Sequence, residues 1–196
     1  MRLIAEAVAE LDMVAGIALC RSLSPPELLA SFLDTLKASI VAPSAEVQEF
    51  VVVRPPVVVG PGARVGPFSL LRGPLFIGAG TVIGPHVELT RSIVLSGSTI
   101  AHKNTVPDSV IGRDVWIAGH TALANTRLDR APVRAWTPDG HVVTDRFGAT
   151  IGSRARIGAQ VLIQPGTCLD EDTVVVGPSS CSGRGKVRHF GSEADR

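Results

Sequence analysis

Residues 59–95 read VGPGARVGPFSLLRGPLFIGAGTVIGPHVELTRSIVL. An aliphatic residue returns every six positions: Val59, Val65, Leu71, Ile77, Ile83, Leu89 and Leu95. A helix repeats every 3.6 residues and a sheet strand every two, so neither accounts for this spacing. One short strand plus one tight turn does, and three such units make a coil of roughly eighteen residues. Stacked coils form a parallel β-helix in which each strand hydrogen-bonds to the coils above and below. The aliphatic anchors face into the prism. Glycines follow several of them, as in Val65-Gly66 and Ile83-Gly84, where the turns need unusual backbone angles.

Outward from this stretch the period continues. After Leu95 the phase slips by two residues and resumes as Thr99, Thr105, Ile111, Ile117 and Leu123. Residues 126–149 interrupt it, and it returns at Ile151, Ile157, Ile163, Leu169, Val175 and Cys181. This predicts a β-helix over 51–183, of about five to six coils at that period, with a loop insertion at 126–149. Residues 1–50 read as a helical cap. Ser24 stands three before Glu27, a capping box, with proline in the first turn. Leu28, Leu29, Phe32, Leu33 and Leu36 then form an apolar stripe suited to covering the first coil. Residues 3–20 form a candidate earlier helix. The polar segment 184–196 reads as a tail. Within the insertion, Pro138-Asp139-Gly140 marks a turn between two extended runs, which predicts a protruding hairpin.

Composition narrows the function. The 196 residues carry a net charge of +1, so no basic field points to nucleic acid. No stretch is long enough to span a membrane. Glu6, Glu10 and Asp12 lie where a signal peptide needs an apolar run, so a cytoplasmic setting is expected. Cys20, Cys168 and Cys181 are odd in number and form no CxxC pair, which indicates neither a disulfide framework nor a zinc knuckle. The histidines are more informative. His86, His102 and His120 each stand three places after a position in the anchor series, so His102 and His120 should stack on one outer face, joined by His86 if the two-residue slip is absorbed at a corner. A surface histidine can be passive, a column of three could share a metal ion, and one could serve as a base.

Three segments carry a family resemblance. They are IAHKNTVPDSVIGRDVWIAGHTALAN, PVRAWTPDGHVVTDRFGATIG and RARIGAQVLIQPGTCLDEDTVVVGPSS. With them, residues 51–188 resemble the hexapeptide-repeat acyltransferases, and most of all the C-terminal domain of the bifunctional sugar-1-phosphate nucleotidylyltransferase/acetyltransferases. The resemblance implies an all-β fold, a left-handed parallel β-helix after a short N-terminal helical segment. It implies a homotrimer and acetyl-CoA, or another acyl-CoA, as cosubstrate, with no metal. It implies two catalytic residues, His102 as general base and Asn125 lying by the amino-sugar substrate. Asp108, His120, Arg127, Arg130 and Arg134 are then candidates to hold a small acceptor, and Ala159, Gly177, Arg184 and Lys186 to hold the coenzyme.

The chemistry is consistent with those residues. Acyl transfer from a thioester to an amine or hydroxyl needs an unprotonated nucleophile, and a histidine can take that proton near neutral pH. The sequence also departs from the family pattern. Thr105 stands where a tyrosine is usual, Pro107 where a glycine precedes Asp108, and His120 where a small residue is usual. All three changes fall on the acceptor side. Two other readings stay open at this point. One is a non-catalytic β-helix, a scaffold or the partner subunit of a nucleotidylyltransferase. The other is a metal-dependent hexapeptide enzyme using His86, His102 and His120.

Overall fold

Hexads too short for a conventional strand pair only with their own repeats one coil away, and this produces three parallel sheets. The computed structural model describes residues 24–137 and 140–184. Each sheet has seven strands. The first face runs from Ile40–Val41 to Thr167–Leu169, the second from Glu46–Val47 to Val174–Val175, and the third from Val52–Arg54 to Ser179–Cys181. Every ladder between coils is parallel, with registers such as Val59↔Ile77 and Val65↔Ile83. This is the left-handed hexapeptide β-helix expected from the sequence. The first coil begins at Ile40, within the stretch assigned to the cap, and seven coils replace the expected five to six.

The prism interior is aliphatic. Val65, Leu71, Ile77, Ile83, Leu89, Ile111, Ile117 and Ile157 are all buried in one cluster. The sequence phase is corrected in one respect. Ile77 pairs with Val94, Ile83 with Ile100, and Leu89 with Val106. The inward residues are therefore Val94, Ile100 and Val106, not Leu95, Thr99 and Thr105. The slip of two residues is two single-residue shortenings, one between Leu89 and Val94 and one between Val106 and Ile111. Both fall where the third face turns into the first, and there Arg91 and Asp108 adopt left-handed φ of 47° and 45°. Leu95 misleads because it too is buried, but in a different cluster.

That second cluster lies outside the prism. Val58, Phe76, Ile93 and Val110 pair in register and point outward from the first face. The helix Pro25–Thr35 lays Leu29, Phe32 and Leu33 on them, and the Phe32 and Phe76 rings meet edge to face at 5.4 Å. Its N-terminus is closed by Glu27, whose carboxylate accepts from the Ser24 N–H at 3.1 Å and its Oγ–H at 2.6 Å. The helix thus covers a side of the prism, where apolar surface is exposed along the strands, rather than the end of the first coil.

The insertion behaves likewise. Strands Val133–Thr137 and Gly140–Thr144 form the expected antiparallel hairpin. It does not protrude freely: Val133 and Ala135 are buried in the same outer cluster, with Phe147. The Trp136 N–H donates to the Gly166 carbonyl at 3.0 Å, tying the hairpin to a later coil. Residues 3–20 and Pro138-Asp139 lie outside the described residues.

Candidate active site

The corner between the second and third faces carries the histidines. Because Ile100 is the inward residue, His102 follows it by two positions, whereas His86 and His120 follow Ile83 and Ile117 by three. His86 and His120 sit in left-handed turns with φ of 56° and 62°, and Lys103, not His102, takes that place on the intervening coil. His102 and His120, expected in one column, therefore occupy two, and His86 shares the turn position of His120. His86 stacks on Phe68, centroids 5.1 Å apart and planes 11° apart, and Phe68 stacks on Phe50. His102 and His120 still touch, ring edge to ring face at 5.3 Å, and the His120 N–H donates to the His102 carbonyl at 3.1 Å.

His102 heads its own column. The equivalent places on later coils are Gly119, Ala159 and Gly177. A methyl group on Gly119 would lie 2.6 Å from His102 Nε2, so the absence of a side chain there gives the imidazole its resting place. At Gly177 a methyl would lie 1.7 Å from the Ala159 carbonyl oxygen. Ala159 and Gly177 floor a groove of about 390 Å³ on the second face, walled by Trp116, Ala118, Gly158 and Val176, while Gly119 lies under the His102 ring. Trp116 is 49% exposed and Val176 52%, so the groove offers apolar walls open to solvent. The coenzyme candidates Ala159 and Gly177 both line it.

One residue that the sequence reading passed over holds the His102 turn. Asn104 is buried, donates from Nδ2 to the Ala101 carbonyl at 2.9 Å and accepts from the Thr121 N–H at 2.6 Å. It thereby joins the turn that bears His102 to the coil that bears Gly119. The available signal was its place four residues after the inward Ile100, which the misread phase concealed.

The other candidates lie elsewhere. Asn125 follows the strand Ala122–Leu123, at the opposite edge of the third face from His102, which precedes the strand Thr105–Pro107. Asn125 donates from Nδ2 to Asp108 Oδ2 at 2.5 Å, and Arg91 Nε donates to Asp108 Oδ1 at 2.8 Å. The Asp108 side chain is 3% exposed, enclosed by Arg91 and Asn125. Arg127 forks onto its neighbour Asp129, with Nε to Oδ1 at 2.9 Å, and this hydrogen bond chiefly lowers the Asp129 carboxyl to about 2. Arg130 and Arg134 are exposed, in the loop and on the hairpin. Arg184 bridges to Cys168 on the first face and lies 3.9 Å from Asp170, away from the groove. Lys186 lies outside the described residues.

Burial pushes the thiols of Cys168 and Cys181 up, which makes both poor nucleophiles. Among the described residues no group of three His, Cys, Asp or Glu is placed to hold a metal ion. Among the described residues, too, no helix is long and apolar enough to cross a membrane.

Comparison with known proteins fits the fold. Residues 53–129 match the GMPPB C-terminal domain family. The uncharacterized acetyltransferase YaiX of Escherichia coli O6:K15:H31 is 33% identical over 88 residues, 44% of this chain and 38% of the relative. The bifunctional sugar-1-phosphate nucleotidylyltransferase/acetyltransferase of Sulfurisphaera tokodaii is 38% identical over 82 residues, 41% of this chain and 20% of the relative. The chain thus matches well under half the length of these curated relatives. Among solved structures, the acetyltransferase domain of PglB from Neisseria gonorrhoeae with acetyl coenzyme A aligns over 86% of this chain and 72% of that one. Its identity is 16% and its TM-score 0.48, too loose a superposition to carry an argument. The chain is thus a β-helix similar to the GMPPB C-terminal domain and to a part of the bifunctional sugar-1-phosphate nucleotidylyltransferase/acetyltransferases.

Proposed function

We propose that this domain transfers an acyl group, acetyl in the simplest case, from coenzyme A to an amino or hydroxy group of a small sugar-like or phosphorylated acceptor. The observation that carries the proposal is the column His102, Gly119, Ala159, Gly177 beside an apolar groove. At about 4.8 Å per coil, these four places span roughly 14 Å. A thin pantetheine chain laid on Ala159 and Gly177 presents its thioester to His102, whose ring rests on Gly119. The imidazole accepts the proton of the acceptor N–H or O–H as nitrogen or oxygen attacks the thioester carbonyl. The C–S bond then breaks, and the imidazolium returns the proton to the departing thiolate. The products are the amide or ester and free coenzyme A. The inert buried thiols support direct transfer without an acyl-enzyme.

The setting of His102 and Asn125 at opposite edges of one face supports a homotrimer, in which the two residues on neighbouring copies face one acceptor. The resemblance to sugar-nucleotide enzymes favours an acceptor of that kind. The YaiX and bifunctional relatives are named as acetyltransferases, which supports the catalytic reading over a bare scaffold.

Two measurements test it. Acetyl-CoA at a hundred times its Kd should stabilise the protein by about 2.7 kcal/mol in thermal unfolding. Thiol release from acetyl-CoA, screened over amino sugars, their phosphates and nucleotide-linked sugars, should fall by about tenfold or more in His102→Gln, with coenzyme A affinity nearly unchanged. Full activity in His102→Gln would remove it as the base. No stabilisation by acetyl-CoA would leave the scaffold reading in place.

A further inference from the structure

We infer that Asp108 is a positioning residue, which locks the Asn125 amide so that its carbonyl oxygen faces the acceptor. The inference rests on the acyltransfer reading for the acceptor but on geometry for the lock. Asp108 sits at the turn from the third face into the first, with its side chain 3% exposed. Both carboxylate oxygens are engaged: Oδ1 by Arg91 Nε at 2.8 Å and Oδ2 by Asn125 Nδ2 at 2.5 Å. Its backbone is fixed on both sides, the N–H donating to Thr90 at 2.8 Å and the carbonyl accepting from Gly148 at 2.8 Å. The Asn125 backbone is fixed as well, its carbonyl accepting from the Phe147 N–H at 3.0 Å.

The orientation of a side-chain amide follows from its partners. A carboxylate paired with a guanidinium can only accept, so the Asn125 group that meets Asp108 is the NH₂. The reversed amide would set two oxygens against each other. Oδ1 is therefore the end turned from Asp108, and Asn125 is only half-buried. A fixed oxygen there accepts a hydrogen bond from an acceptor amine or hydroxyl, orienting the lone pair that attacks the thioester. Asp108 touches neither acceptor nor coenzyme in this scheme. That differs from the acceptor contact expected from sequence. It also gives Arg91 a purpose: it holds the carboxylate in place.

The test uses Asp108→Asn, which keeps the shape and can donate as well as accept. In side-chain amide NMR of the full chain, the wild-type Asn125 NH₂ should exchange slowly and give a displaced pair of resonances. Both features should vanish in Asp108→Asn. This readout needs no activity, so it judges the lock even if the acyltransfer reading fails. In thiol release with the active acceptor, Asp108→Asn should lower kcat/KM by about tenfold. The same change made in an Asn125→Ala background should cost little more, because the two residues act as one unit. Acetyl-CoA affinity should stay within about twofold in all variants, a bound set by the distance of the pair from the groove. Additive losses, or an unaltered Asn125 amide in Asp108→Asn, would overturn the inference. Absence of thiol release from wild type with intact NMR signatures would overturn the acyltransfer reading and leave the lock standing.

Discussion

The first and second faces share one backbone plan and opposite outward chemistry. On the first, the outward places on successive coils are Val58, Phe76, Ile93 and Val110. On the second they are Arg64, Val82, Thr99, Trp116, Arg156 and Val174. The first face buries its apolar column under a helix and a hairpin, so the prism there has a core on both sides of the sheet. The second is left open and lined in part by glycine and alanine. In a β-helix the inward residues of each hexad make the fold. What the outward residues are decides whether a face becomes a second core or a binding groove.

The largest expected effect breaks this comparison on the covered side. Phe76 is fully buried although it points away from the prism axis. Phe76→Ala should cost about 3–5 kcal/mol in denaturant unfolding, the range for a large core side chain. A cost below about 1 kcal/mol would mean that the helix and hairpin are loosely held and that the two faces are alike. On the open side the effect should be on ligand and not on fold. Ala159→Leu adds bulk to an exposed groove floor, so it should weaken acetyl-CoA binding by about tenfold, read by titration calorimetry. Its Tm should move by no more than a few degrees, about what a small surface perturbation gives. A large drop in Tm with unchanged affinity would reverse the roles assigned to the two faces.

Much of this was legible in the sequence, for a physical reason. Hexads whose inward residue must be aliphatic leave a period that survives any outward substitution, so Val59 through Leu89 declared the prism. The period failed at Leu95, which is apolar because it is buried in the outer cluster, so it imitated an inward anchor. That error displaced His102 by one place relative to His120 and hid Asn104, the residue that ties its turn to the next coil. The helix was visible through its stripe, but a stripe does not say which surface it covers. The hairpin was visible through its turn, while its docking through Val133 and Ala135 depends on residues distant in sequence. Asp108 was legible as a carboxylate near the site, but its enclosure by Arg91 and Asn125 was not, because those partners lie 17 residues away on either side.

The central claim is that a coenzyme track on the open face ends at His102. A crystal structure of the protein grown with a non-hydrolysable acyl-CoA tests it most directly. The account predicts the pantetheine arm over Ala159 and Gly177, with the thioester-equivalent carbonyl beside the His102 imidazole that rests on Gly119 and His120 at its edge. An arm bound on another face, or one lying in this groove with its acyl end pointing away from His102, would contradict it.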